Sequence, residues 1–173
     1  MQIQKFFLVL LLVFPVFSQI SGNAFFRFPE GFSGNCDSIP PLNQQIVDFA
    51  KSNIGHTVGR GECWDLAAAA LNSNGARWDK QYKFGREVRV DKECICPGDI
   101  IQFEGVKVKY QVGNRRYEES MSHHTAIIYE IKETGELVLA HQNTNFSGRK
   151  VGLSELQLKN IVRGKYTIFR PVK

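Results

Sequence analysis

The sequence of 173 residues lacks internal repeats, low-complexity linkers and any block of interleaved basic and aromatic residues. The last absence argues against a nucleic-acid-binding surface. An excess of one sign of charge is also missing. The formal net charge is +5, and because the charged residues are spread along the chain they indicate no particular anionic partner. What is present, 43% hydrophobic and 23% charged residues, is typical of a globular protein, and the length suits one domain with a sizeable core.

Long apolar runs are missing except near the start of the chain. One run, Phe6–Phe14, follows the single early charge of Lys5 and ends at Pro15. It is too short to span a bilayer, and Ser18 lies where a signal peptidase requires a small residue. We therefore predict that residues 1–18 are a signal peptide, with cleavage after Gly22 or Ala24 as alternatives. The protein is then secreted or periplasmic and has no membrane span.

Cysteine is scarce, with four residues in the chain: Cys36, Cys63, Cys94 and Cys96. Secretion permits disulfides, and Cys94 and Cys96 are too close in sequence to pair comfortably with each other. If Cys63 is free, Cys36 is expected to pair with Cys94 or with Cys96. Further ligands at a zinc-site spacing are not found, so the sequence predicts no metal and no cofactor.

The order of predicted elements is typical of an α+β domain over residues 42–173, preceded by an N-terminal arm over residues 19–41. Pro40-Pro41 begins a first helix that ends near Ile54, and a second helix begins at Cys63. Strands or short extended segments are expected at 85–90, 100–103, 106–112, 115–119, 124–131, 136–142, 151–153 and 165–170. A capping-box pattern predicts a short helix from Ser154 to about Asn160. The helices are expected to pack on an antiparallel sheet of about five strands.

The segment Gly59–Leu71 has the strongest chemical signal in the chain. Two glycines precede Cys63, and a run of helix formers follows it, which places the cysteine in the first turn of a helix. Unpaired N–H groups at a helix N-terminus favour a thiolate and can hold a developing oxyanion. The carboxylates of Glu62 and Asp65 oppose this effect. A buried cysteine on an alanine-rich helix is an equally good interpretation of this segment alone.

A nucleophilic cysteine needs a base, and histidine is the usual one. His124 opens an apolar strand, and His141 lies near the end of the next strand. Adjacent strand residues face opposite ways, so His123 and His124 cannot both face the helix. Antiparallel pairing predicts that His124 and His141 are neighbours and that Asn143 shares the face of His141. The alternative is a solvated histidine at a strand end and an asparagine in a turn.

An ordered set of motifs resembles the NlpC-type and CHAP-type cysteine hydrolases of the papain-like superfamily over roughly residues 42–171. The motifs are Gly-Glu-Cys-Trp at 61–64, Pro-Gly-Asp-Ile-Ile-Gln-Phe at 97–103, His-Thr-Ala-Ile-Ile-Tyr at 124–129 and a polar strand end at 141–143. The resemblance implies a papain-like fold with Cys63 as nucleophile and His124 as base. The third residue falls on His141, or on Asn143 if the CHAP pattern applies. Glu-Cys-Trp-Asp replaces the NlpC-type Asp-Cys-Ser-Gly box, and the hairpin at 105–119 looks like an insertion.

The resemblance implies a monomeric thiol amidase or endopeptidase that cleaves an amide bond through an acyl-thioester on Cys63. The implied substrate is a peptidoglycan peptide or a similar N-acyl amide. The alternatives are a non-catalytic binding module on the same fold and a disulfide-stapled structural protein.

Overall fold

The computed structural model describes Cys36 and residues 38–173. The predicted signal peptide at 1–18 and nearly all of the predicted arm at 19–41 lie outside the described residues, so both stay predictions. The predicted domain at 42–173 lies entirely within them.

Two helices precede the sheet, as the sequence predicts. Helix α1 spans Pro41–Ser52 and buries Leu42, Ile46 and Ala50, while helix α2 spans Cys63–Ser73 and begins at the cysteine itself. Proline is tolerated in the first turn of α1 because an N–H group at this position has no acceptor within the helix, so its absence costs no hydrogen bond. Neither of these described helices is long and apolar enough to cross a membrane.

One antiparallel sheet of six strands follows, in the order β1-β6-β2-β3-β4-β5. The strands are β1 Arg86–Glu87, β2 Ile100–Val112, β3 Arg115–Ile131, β4 Leu137–His141, β5 Gly152–Leu156 and β6 Ile161–Arg170. The α+β class is confirmed, and the prediction of about five strands is one short of the observed number.

Strand β5 begins in the short extended segment predicted at 151–153 and continues into residues predicted to be helical. Ser154 pairs with Leu139 of β4, and only Leu158–Asn160 forms a single 3₁₀ turn. The predicted helix from Ser154 is therefore wrong. A capping box would satisfy only the first N–H groups of a helix at Ser154. Pairing of the same segment with the free edge of β4 satisfies both N–H and C=O groups of its backbone.

Strands β2 and β3 are longer than predicted and form one continuous hairpin. The two expected strands on each side of Gly105 are a single strand, and pairing with β6 is irregular between Glu104 and Lys107. Gly105 has a φ of +59°, which glycine adopts without strain. The predicted insertion at 105–119 is therefore the outer end of the central hairpin, where the rings of Tyr110 and Tyr117 stack 5.1 Å apart.

The sheet separates two apolar clusters, and strand alternation decides which one each side chain joins. The helix-side cluster holds residues from both helices together with Ile100, Ile127, Ala140 and Phe169. The opposite cluster contains Ile101, Phe103, Ala126, Ile128, Leu139 and Ile168, with Val88 and Ile95 from the loop between β1 and β2. Only a histidine on the helix side of the sheet can lie close to Cys63, which begins α2.

Candidate active site

Cys63 is the first residue of α2, is half-buried and is not in a disulfide. A capping box holds this helix end, because Asp65 accepts hydrogen bonds from the backbone N–H of Arg60 at 2.7 Å and of Glu62 at 3.4 Å. The thiol therefore lies at the positive end of the helix dipole, as the sequence predicts.

The two carboxylates near the thiol are both compensated by basic groups. Asp65 accepts from the Arg60 guanidinium at 2.8 Å, and this hydrogen bond holds the pKa of Asp65 below its usual value. Glu62 accepts from Asn143 at 2.7 Å and lies 3.4 Å from the guanidinium of Arg149. The carboxylates thus act as caps and ion-pair partners beside the cysteine rather than as unpaired negative charges.

A cleft of about 570 Å³ opens beside Cys63. Side chains from four regions of the chain line it, among them Trp64, Tyr82, His123, Thr125 and Asn143. The rings of Tyr82 and His123 pack edge to face, with their centroids 4.3 Å apart. The histidine that shares a cleft with the cysteine is therefore His123.

A buried amide fixes the surroundings of His123. Nε2 of Gln102 lies 3.3 Å from Nε2 of His123 and also donates to the carbonyl of Phe103 at 3.2 Å. Its Oε1 accepts from the hydroxyl of Thr125 at 2.6 Å. The carbonyl of Phe103 can only accept a hydrogen bond, so the amide nitrogen must lie at this end of the side chain, and it is this nitrogen that faces the imidazole.

The structure places His124 and His141 together, but on the other face of the sheet from α2. Nε2 of His124 lies 2.8 Å from Nδ1 of His141, whose Nε2 lies 2.8 Å from the hydroxyl of Ser154. The ring of His124 stacks over Phe103, a member of the cluster away from the helices. Burial lowers the pKa of His124 to about 4 and the pKa of His141 to about 3. The predicted contact between the two histidines is present, and neither residue lines the cleft of Cys63.

Asn143 does not share the face of His141, contrary to the prediction. Strand β4 ends at His141, and Asn143 adopts a φ of +61°, which turns the chain toward α2. Asparagine tolerates this left-handed conformation better than most residues. Its side chain therefore lines the cleft of Cys63 while His141 faces away.

Gln142 is a structural residue of the site that the sequence interpretation missed. Its fully buried amide accepts from the N–H of Val58 at 3.1 Å and donates to the carbonyls of Val58 and Glu62, both at 2.8 Å. The loop before Cys63 is thus held against the end of β4. A glutamine beside two candidate polar residues carries no distinguishing sequence signal, and the same is true of Gln102.

One group of three side chains within the described residues could hold a metal ion: Cys36, Cys94 and Cys96, whose sulfur atoms lie within 4.8 Å of one another. None of them lines the cleft. The sulfur of Cys36 lies within bonding distance of the sulfurs of both Cys94 and Cys96, and it can form a disulfide with one of them. The structure therefore brings together the cysteines that the sequence predicts to pair and leaves the choice between Cys94 and Cys96 open, while Cys63 is not in a disulfide.

A helix that begins at a cysteine and packs on an antiparallel sheet, with a histidine of that sheet in the same cleft, defines a cysteine-proteinase-fold domain. A family model described as the AIM3/BBC1 cysteine proteinase-fold domain matches residues 42–173. The chain belongs to this family. The papain-like fold is thereby confirmed, whereas the NlpC or CHAP type stays a prediction.

Altered inheritance of mitochondria protein 3 from Debaryomyces hansenii is 25% identical over 153 residues, which cover 76% of this chain and 16% of that protein. The chain thus spans about one sixth of the length of this relative. The crystal structure of Ly7917 is 14% identical, with a TM-score of 0.42, and the match covers 73% of this chain and 62% of that one.

Proposed function

We propose that this domain is a non-catalytic binding module that holds a polypeptide segment in the cleft beside Cys63. The observation that carries the proposal is the 3.3 Å contact between the amide nitrogen of Gln102 and Nε2 of His123. Because the amide nitrogen is a donor, Nε2 of the imidazole is the acceptor, and the neutral ring carries its proton on Nδ1.

This tautomer is poorly suited to taking a proton from a thiol. A cysteine–histidine pair needs a ring nitrogen with a free lone pair, and the other nitrogen then donates to an orienting acceptor. In His123 the lone pair faces a donor, and protonation there would bring two N–H groups together. Within residues 38–173 no hydrogen bond joins the Cys63 sulfur to an imidazole, so the geometry favours recognition over proton transfer.

The lining of the cleft suits a short stretch of polypeptide. Trp64 and Tyr82 offer aromatic surface, and Tyr82 is 46% exposed. Nδ1–H of His123 is a donor, and the Asn143 amide, whose nitrogen donates to Glu62, keeps its oxygen as an acceptor. A peptide backbone offers matching acceptors and donors in alternation. The volume of about 570 Å³ lies in the range of ordinary binding clefts.

The length of the D. hansenii relative supports a module rather than a stand-alone enzyme. The matched region is 16% of that protein, so there the domain is one small part of a much larger chain. A domain that binds polypeptide segments is a common kind of module within a larger chain.

Selection of random twelve-residue peptides on the immobilised protein tests the proposal. Selected peptides are then measured by fluorescence anisotropy against Tyr82→Ala and against Tyr117→Ala, an exposed tyrosine of the outer hairpin. We expect Tyr82→Ala to weaken binding at least tenfold and Tyr117→Ala to leave it unchanged. Equal effects of the two substitutions, or no selected peptide at all, would contradict the proposal.

A thiol hydrolase is the second candidate function, favoured by the presence of Cys63 and His123 in one cleft at a helix N-terminus. In this mechanism the sulfur attacks an amide carbonyl, and the imidazole passes the thiol proton to the leaving amine. Water then hydrolyses the acyl-thioester. The base is His123 in this form of the proposal, because His124 lies on the opposite face of the sheet. The early apolar run supports secretion, and peptidoglycan peptides or similar N-acyl amides are the proposed substrates.

Digestion of purified peptidoglycan, with product masses compared between the wild-type protein and Cys63→Ala, separates the two candidates. The binding proposal predicts the same products, at background level, from both proteins. Products that disappear in Cys63→Ala and in His123→Ala, but persist in His124→Ala, would establish hydrolysis with His123 as base. Products lost in His124→Ala instead would restore the role that the family resemblance implies.

A further inference from the structure

Three cysteines outside the cleft, Cys36, Cys94 and Cys96, lie close enough together to form either of two disulfides. The Cα atom of Cys36 lies 5.3 Å from that of Cys94 and 5.6 Å from that of Cys96. Both separations lie in the range that disulfides require. A sulfur forms one disulfide at a time, so each pairing leaves the third cysteine as a thiol.

The three sulfur atoms are close enough to react with one another. The sulfurs of Cys94 and Cys96 lie 3.9 Å apart, and all three lie within 4.8 Å of one another. Exchange proceeds when a thiolate attacks one sulfur of a neighbouring disulfide. The cluster therefore contains a disulfide and an attacking group in contact, with no movement of the backbone needed to bring them together.

A partly buried cation lies against the cluster. The guanidinium of Arg170, 12% exposed, is 3.9 Å from the Cys36 sulfur and donates to the carbonyl of Cys94 at 2.7 Å. Positive charge beside a sulfur stabilises the thiolate form that attacks and leaves. Two carboxylates share this guanidinium, Asp99 at 2.8 Å and Glu93 at 3.5 Å, and both moderate its effect.

We propose that Cys36, Cys94 and Cys96 form an internal thiol–disulfide exchange centre. The Cys96 thiolate attacks the Cys36 sulfur, the Cys36–Cys96 bond forms, and the Cys36–Cys94 bond breaks. Cys94 leaves as a thiolate and takes up the proton that Cys96 gave to solvent. Sulfur oxidation states balance, so the step needs no oxidant or reductant.

The two states differ in what they present to solvent. Cys96 is 1% exposed, whereas Cys94 is half-buried. The Cys36–Cys94 bond thus leaves a buried thiol, and the Cys36–Cys96 bond leaves a more accessible one. The centre can therefore present or withdraw a thiol for reaction with an external disulfide or alkylating agent.

Alkylation of full-length protein carrying Cys63→Ala tests the proposal, because this background leaves only the cluster to react. One sample is unfolded in acid, where exchange is quenched, and its free thiols are labelled with N-ethylmaleimide. Fragment-ion mapping of the peptide that holds Cys94 and Cys96 gives the initial share of each free thiol. A second sample is incubated, folded, with iodoacetamide near neutral pH and mapped in the same way.

We expect iodoacetamide to label Cys94 well beyond its initial share, approaching the whole population, because exchange refills the accessible thiol as it is consumed. Cys94→Ser and Cys96→Ser in the same background should each keep a disulfide to Cys36. Labelling that stops at the initial share shows two static pairings and overturns the proposal. So does a disulfide with one fixed partner, or a zinc ion held by three reduced cysteines in native mass spectrometry.

Discussion

Nε2 of Gln102 faces Nε2 of His123 at 3.3 Å, across the neighbouring strands β2 and β3. An amide oxygen at this place would accept the proton of Nε2 and leave Nδ1 free to accept one from a thiol. The amide nitrogen instead donates to Nε2, so the imidazole proton lies on Nδ1. The chemical character of the cleft therefore depends on a buried residue that does not line it.

The first prediction tests this relationship with Gln102→Glu. A carboxylate of nearly the same shape has only acceptor atoms, so it should hold the imidazole proton on Nε2 and leave Nδ1 free. We expect ring NMR spectra to show the proton of His123 moved from Nδ1 to Nε2, and iodoacetamide to label Cys63 severalfold faster. Gln111→Glu makes the same substitution at an exposed position of β2 and should change neither quantity. An unaltered His123 spectrum in Gln102→Glu would refute the proposed role of the amide.

The second prediction concerns the buried pair His124 and His141. Burial lowers the pKa of His124 from 6.5 to about 4 and that of His141 to about 3, so the unfolded chain takes up protons at a higher pH than the folded one. The pair's contribution to the free energy of unfolding is fully present above about pH 6.5. It falls as the pH is lowered from there toward 4, by up to about 1.4 kcal/mol per pH unit for each histidine.

Urea unfolding between pH 7 and pH 4 measures this dependence. His124→Asn removes one titrating group and should flatten the curve. Gln111→Asn, at an exposed position with no titratable group, should leave its slope unchanged. A wild-type curve that is flat over this interval would contradict the prediction.

The third prediction concerns Gln142, whose amide joins the end of β4 to the loop before Cys63. Gln142→Leu leaves the N–H of Val58 without its partner, and an unpaired buried group costs about 1–3 kcal/mol. The carbonyls of Val58 and Glu62 each lose one of two hydrogen bonds, because they also accept from the N–H groups of Gly61 and Asp65. We expect the free energy of unfolding to fall by about 1–3 kcal/mol. Gln111→Leu is the exposed control, and equal midpoints of urea unfolding for the two variants would rule out the tethering role.

The fourth prediction concerns the cap of α2. Asp65→Ala removes the acceptor for two backbone N–H groups at the start of the helix and should destabilise the fold by about 1–2 kcal/mol. The ion pair with Arg60 adds little, because Arg60 is 75% exposed and solvent screens it. Thermal unfolding compared with Asp91→Ala, at an exposed turn position, checks this. A loss no greater than in the control would show that the cap is not stabilising.

The sequence was sufficient to predict the helix that begins at Cys63, because two glycines and a following run of helix formers indicate the same start. It was not sufficient to choose between His123 and His124. Alternation of polar and apolar residues normally identifies the two faces of a strand, but Ala126, Ile127 and Ile128 are all buried. A strand covered on both faces carries no polarity signal. The sequence therefore shows that His123 and His124 face opposite ways, but it does not show which of them faces α2.

Strand β5 and Asn143 were mispredicted for a related reason. Ser154 and Gln157 fit a local capping pattern, yet the free edge of β4 is a partner that no local pattern shows. The left-handed φ of Asn143 likewise follows from the end of β4 and from its contact with Glu62, which is 81 residues away in the sequence. Contacts of this range are set by the assembled sheet and not by neighbouring residues.

The position of β6 between β1 and β2 has a consequence for the order of events during synthesis. Strand β6 follows the other five strands of the described sheet in the chain, yet it pairs with β2 near the middle of that sheet. One edge of β2 therefore has no partner until residue 170 has been synthesised. Unpaired strand edges invite aggregation, so this edge is exposed to other chains until β6 emerges and covers it.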